Sequence, residues 1–205
     1  MGQSITDLWY TVHMGKRFVS LDFETTGVVP GWPNEPWQLG LVVIEDGRPV
    51  PGTQWETYFR VAADRPFSRR APGRWAEMRE TLAQAPTVMD VWPELSERLV
   101  GVPLVAHNAA TERTLLTRQA PLTPWGPWLD TLKIVRKFWP ILKSYALGDL
   151  IRTFGLQAQV DALCQDRTWH DALYDACAGA VLMGHVMKVL KGTAYEDIET
   201  LFDVR

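Results

Sequence analysis

Val19-Ser20-Leu21-Asp22-Phe23-Glu24-Thr25-Thr26-Gly27 sets two carboxylates at the end of an apolar run. In an extended strand alternate side chains leave opposite faces, so Val19, Leu21 and Phe23 point one way and Ser20, Asp22 and Glu24 the other. The two acids then share a face, about 6–7 Å apart at their roots. Like charges on one face of a sheet repel, so packing does not ask for this pair. A divalent cation does. The plain alternative is a solvated strand end running into the turn at Thr25-Thr26-Gly27.

Working outward, strands are expected over residues 17–23, 38–45, 54–59, 102–106 and 128–130. Asp46-Gly47 is a hairpin signal. Helical patterns cover 74–84, 88–100, 108–118 (with Asn108 as N-cap), 131–138, 144–154 and 171–190, with a terminal helix at 195–202. A meander of three strands followed by strands alternating with helices predicts an α/β protein with a mixed sheet covered by helices. The chain divides into an extension at 1–15, one domain at 16–190 and a helical tail at 191–205.

The chain has 205 residues, 46% hydrophobic and 22% charged, enough for one well-filled core. The net charge of −3 argues against a protein that coats long nucleic acid by neutralising phosphates, but not against one that grips a short end. No apolar run is expected to span a bilayer, and no secretory signal is seen. Gly2 and Thr6 match a loose N-myristoylation pattern, yet no basic cluster supplies the second membrane signal. Cys164 and Cys177 lack paired spacing and read as free thiols of a cytoplasmic protein. The loop at 60–73 carries Arg65, Arg69 and Arg70, read as a solvated basic loop with a phosphate contact as the lesser reading. Of the ten tryptophans, Trp55, Trp75, Trp92 and Trp139 are expected in packing.

Two further segments carry acids. In His107-Asn108-Ala109-Ala110-Thr111-Glu112, a helix puts Glu112 on the core-leaning side with Ala109, Leu115 and Leu116. In Trp169-His170-Asp171-Ala172-Leu173-Tyr174-Asp175, the small residues Ala172, Ala176, Gly179 and Ala180 let a helix press on the sheet and bring Asp175 to the first strand. His170 stands five residues before Asp175, about 140° away on a helix, so the two can meet only if His170 lies at or before the first turn.

These segments together resemble the DEDDh subgroup of the 3′→5′ exonucleases (DnaQ-like), which includes bacterial proofreading subunits, ribonuclease T and oligoribonuclease. Residues 20–27, Val105-Ala106-His107-Asn108-Ala109 with the acid at 112, Asp130-Thr131-Leu132, Ala146-Leu147-Gly148-Asp149-Leu150, and His170 with Asp175 match in order, over roughly residues 16–190. The resemblance implies a ribonuclease H-like fold with a mixed five-stranded sheet. It also implies a site in which Asp22, Glu24, Glu112 and Asp175 hold two divalent cations, Mg²⁺ or Mn²⁺, and His170 is the base. Phe23, Thr25, Thr26, His107 and Asn108 would contact the single-stranded 3′ end. The family usually has aspartate where this chain has Glu112.

The chemistry agrees with that reading. Carboxylates about 6 Å apart at an effective dielectric near 20 cost roughly 3 kcal/mol per pair before screening, which cations remove. Oxygen ligands suit Mg²⁺ or Mn²⁺ rather than zinc. Imidazole exchanges protons near neutral pH. The alternatives are an RNA-trimming enzyme of the same fold and a module that binds nucleic acid or a polymerase without cutting. A DNA polymerase subunit is a candidate partner through the Trp-rich segments 32–37 and 124–128.

Overall fold

The computed structural model describes residues 17–202 and 204. The extension at 1–15, with Gly2, Thr6 and His13, therefore lies outside the described residues.

Strand β1 (Arg17–Thr25) is central, with antiparallel β2 (Pro36–Glu45) on one side and parallel β5 (Leu104–Ala106) on the other. Strand β6 (Trp128–Asp130) continues the parallel half beyond β5. Strands β3 (Arg48–Pro49) and β4 (Trp55–Tyr58) both pair antiparallel with β2. Among the described residues the sheet thus has six strands rather than five. The extra one is two residues long, too short for alternation to reveal it. It follows the Asp46-Gly47 turn, in which both residues take positive φ (49° and 73°), as a tight hairpin of this twist requires.

Helices α1 (Arg79–Gln84), α2 (Trp92–Leu99), α3 (Ala110–Gln119), α4 (Thr131–Phe138), α5 (Leu147–Thr153), α6 (Gln157–Leu163) and α7 (Ala172–Leu190) flank the sheet. Helix α6 was not expected. The first two helices are shorter than their patterns, because residues 75–78 form turns and Pro93 sits in the first turn of α2, where its missing N–H costs nothing. The expected C-terminal helix is a 3₁₀ turn, Ile198–Leu201, whose Ile198 and Leu201 join the core.

Alternation along β1 divides the core. Val19, Leu21 and Phe23 pack with Leu95, Leu99, Leu115 and Leu116 of α2 and α3 on one face. Phe18 lies on the other face with the buried stripe of α7, among Cys177, Val181 and Leu182. Helix α7 is long and apolar enough to cross a membrane by composition, contrary to expectation, but it is mostly buried here as the central core helix. It lies close against β1 and β2. Ser20 Oγ donates to the Ala176 carbonyl at 2.8 Å, and a Cβ on Gly40 would sit 2.2 Å from the Leu173 backbone. Glycine at 40 is what allows the N-terminal turn of α7 to touch β2.

Candidate active site

Four acids and a histidine meet on the α7 face at the C-terminal end of β1. Asp22 and Glu24 leave β1 on that face, and Glu24 is only 4% exposed. Asp175 stands in the first turn of α7, and Glu112 in the first turn of α3, also 4% exposed. His170 lies two residues before α7 in a left-handed conformation (φ 68°), outside the helix, which resolves the angular conflict of a five-residue spacing. Ligand atoms of Glu24, His170 and Asp175 all lie within 4.8 Å of one another.

Each acid reaches this place for a local reason. Asp171 caps α7, accepting from the Leu173 and Tyr174 amides at 3.1 and 3.4 Å, which sets where the helix begins and so where Asp175 stands. Helix α3 is not capped by Asn108, whose φ of 68° carries the chain into the turn. No side chain caps α3; Asp130, at the end of β6, holds the turn ahead of it instead. Its carboxylate accepts from the Asn108 and Ala109 amides at 3.0 and 3.2 Å and from Leu132 and Lys133 at 3.1 and 3.4 Å. One buried aspartate thereby organises the start of α3, which carries Glu112, and the start of α4.

Burial and mutual repulsion dominate the electrostatics. Loss of water holds the Asp22 carboxyl well above the usual range, with Glu112, then Asp175, Glu24 and Asp171 adding to it. Glu24 is pushed up to about 8, first by burial and then by Asp175 and Asp171. Glu112 is likewise pushed up to about 8, chiefly by burial; its own backbone N–H opposes this and Asp130 adds to it. Asp175 rises to about 7 through burial, opposed by the His170 amide, with Asp171 adding a smaller push. Glu112 Oε2 and Asp175 Oδ1 are buried without a hydrogen-bond partner. Buried oxygens of this kind are costly unless something positive meets them, so the residues present fit a divalent cation.

The expected substrate contacts divide. Thr25 is half-buried at the end of β1 and Asn108 is exposed. The side chains of Phe23, Thr26 and His107 are engaged within the fold. Phe23 points to the opposite face against Phe59, with ring centroids 6.4 Å apart. Thr26 Oγ1 accepts from the Glu35 amide at 3.0 Å and from Arg65 at 2.9 Å. His107 joins Thr131 Oγ1 and the Tyr145 carbonyl through its two ring nitrogens, both at 2.9 Å. Arg65, expected in a solvated loop, is 1% exposed and also bonds the Pro33 and Pro66 carbonyls. Of the Trp-rich segments, Trp37 and Trp128 are buried, Trp125 packs edge-on against Trp92, and Trp32 is exposed with the Arg65 guanidinium over its ring.

Beside His170 lies a cleft of about 290 Å³, lined by Trp37, Gln38, Tyr58, Arg74 and Arg167 among others. The loop before α1 closes over its edge, and a Cβ on Gly73 would meet the His170 carbonyl at 3.1 Å and Glu24 Oε2 at 3.4 Å. Asp130, Asp171 and Gly73 were not marked as site-forming from the sequence. An aspartate just ahead of each helical run was the signal for the first two; Gly73 had none.

The family model described as Exonuclease matches residues 19–183. Exodeoxyribonuclease 10 of Escherichia coli (strain K12) is 33% identical over 176 residues, covering 85% of this chain and 70% of that protein. The PolC-type DNA polymerase III of Thermotoga petrophila is 29% identical over 193 residues, 91% of this chain but only 13% of the polymerase. Among solved structures, Exonuclease X in complex with 5′ overhanging duplex DNA superposes with a TM-score of 0.62 at 29% identity, over 89% of this chain and 97% of that one. The nuclease domain of 3′hExo, a DEDDh family member bound to rAMP, has the same fold with a TM-score of 0.65 at 16% identity, over 86% of this chain and 94% of that one. The match takes in every segment that contributes to the acidic cleft, and the chain belongs to the DEDDh-type, DnaQ-like exonuclease family with the ribonuclease H-like fold.

Proposed function

We propose that this chain is a metal-dependent 3′→5′ exonuclease that trims single-stranded nucleic acid, DNA in preference to RNA, and releases nucleoside 5′-monophosphates. The observation that carries the proposal is the gathering of Asp22, Glu24, Glu112 and Asp175 beside His170, with buried oxygens on Glu112 and Asp175 left without partners.

Asp22 would be the ligand shared by two ions, Glu24 and Asp175 would hold the ion on the nucleophile side, and Glu112 the second ion or its waters. Bound Mg²⁺ or Mn²⁺ would supply the positive charge that an in-line phosphodiester displacement needs. His170 accepts the proton of the attacking water, its exposed position leaving it open to solvent and to substrate. Thr25 and Asn108 line the approach of the terminal nucleotide. Glu112 has one more methylene than the family's usual aspartate, but its burial in the first turn of α3 supports a working ligand rather than a surface charge.

A relative named exodeoxyribonuclease supports DNA as the polymer. Relatives named DNA polymerase III support a polymerase as partner. The two free, buried cysteines suit a reducing cytoplasm. The test is hydrolysis of a 3′-labelled single-stranded oligonucleotide with Mg²⁺ or Mn²⁺, run on DNA and RNA of matched sequence. EDTA and Asp22→Ala should each stop it. Full activity in Asp22→Ala would overturn the assignment, and faster cutting of RNA would reverse the stated preference.

A further inference from the structure

We propose that Arg167 is a positioning residue, clamping strand β4 to the start of α7 so that the short loop carrying His170 keeps its shape. The inference deepens the nuclease reading above and rests on it for its kinetic consequence.

The loop from Asp166 to His170 begins and ends on left-handed residues, with φ of 60° and 68°. Neither is glycine, and such conformations persist only where the surroundings hold them. Arg167 sits between them. Its guanidinium grips Glu56 of β4 with two bonds, Nη2 to Oε1 at 2.5 Å and Nη1 to Oε2 at 2.7 Å. Nη1 also reaches Asp171 Oδ2 at 2.8 Å, while Oδ1 of the same carboxylate caps α7. The three side chains are 17–29% exposed, and a two-pronged arginine–carboxylate contact with little solvent holds direction as well as charge.

The clamp continues to the catalytic strand. Gln38 Nε2 donates to Glu56 Oε2 at 3.2 Å, and its Oε1 accepts from the Ala172 amide at 3.2 Å. Gln38 is the direct cross-strand neighbour of Glu24. Loop, helix start and the Glu24 end of β1 are therefore tied through one polar cluster. None of its members is needed as a ligand or a base. A displaced His170 would leave substrate and metal binding in place and slow the chemistry.

The experiment uses the full chain, with Arg167→Met and, because that variant also loses packing, Glu56→Gln. Each should lower kcat by about 10²-fold, leave KM and calorimetric Mn²⁺ affinity within about twofold, and accelerate amide hydrogen exchange across residues 165–172. The double variant should be no slower than the worse single one, since both break the same contact. Arg167→Lys should recover little, because an ammonium cannot make the fork. An unchanged kcat, a loss that only tracks the drop in melting temperature, or a raised KM with kcat intact would each overturn the proposal. The last would make Arg167 a substrate contact. If the wild-type chain cuts nothing, the nuclease reading fails separately; the exchange measurement then still decides the clamp, faster exchange supporting it and unchanged exchange overturning it.

Discussion

The His170 amide donates to Asp175 Oδ2 at 3.3 Å, so an acid inside α7 is hydrogen-bonded to the residue standing just ahead of that helix. The bond turns the loop back over its own helix start and brings imidazole and carboxylate to one side of the cleft. His170→Ala should therefore slow turnover by about 10²–10⁴-fold while Mn²⁺ affinity stays close to wild type. Single-turnover hydrolysis alongside calorimetry checks both halves, and wild-type turnover in the variant would remove His170 as the base.

Without metal, the cleft should make the protein less stable as pH rises. Glu24 and Glu112 are raised from an ordinary value of 4.5 to about 8, and Asp175 from 3.8 to about 7, mainly by burial. The folded state thus holds protons that the unfolded chain has released. Stability from these groups is complete below about pH 4, falls through the interval above it and is lost once pH passes about 8. Melting curves in EDTA should show this decline, and Mn²⁺ should raise the melting temperature far more at pH 8 than at pH 5. A flat profile in EDTA would count against a crowded acid cluster.

Glu112→Gln should separate stability from activity. Removing a buried charge with no partner on Oε2 relieves repulsion on Asp22, so the chelated protein at pH 8 should melt higher than wild type. Loss of a ligand should cut activity by about 10²-fold or more. A variant that melts lower in EDTA yet still cuts would place Glu112 among structural residues.

Asp130→Ala should destabilise the fold by about 1–4 kcal/mol, because one carboxylate serves the starts of both α3 and α4. Urea titration monitored by tryptophan fluorescence gives the number. A cost below the worth of a single cap would show that the two helices find other acceptors.

Gly40→Ala should disturb the site from the neighbouring strand, where Gly40 pairs with Asp22. The new methyl would fall 2.2 Å from the Leu173 backbone, pushing the start of α7 off β2 at a cost of about 1–3 kcal/mol. Asp175 moves with that turn, so activity should fall along with the melting temperature. An unaltered kcat would mean that α7 adjusts by sliding along the sheet.

Much of this was legible in the sequence because it is local. Alternation through Phe18–Phe23 dictated which face of β1 bears Asp22 and Glu24, and the small residues Ala172, Ala176 and Gly179 announced a helix that lies close to a sheet. Ordered motifs identified the family from residues alone. Tertiary structure decided what depends on distant partners. It showed that Asn108 turns the chain while Asp130, from the end of β6, holds the turn ahead of α3. Phe23, Thr26 and His107 have their side chains engaged inside the fold, and Gly40 makes room for α7. The physical reason is range: side-chain direction along one strand follows from backbone geometry, whereas capping, burial and pKa are set by whichever residue the topology brings near.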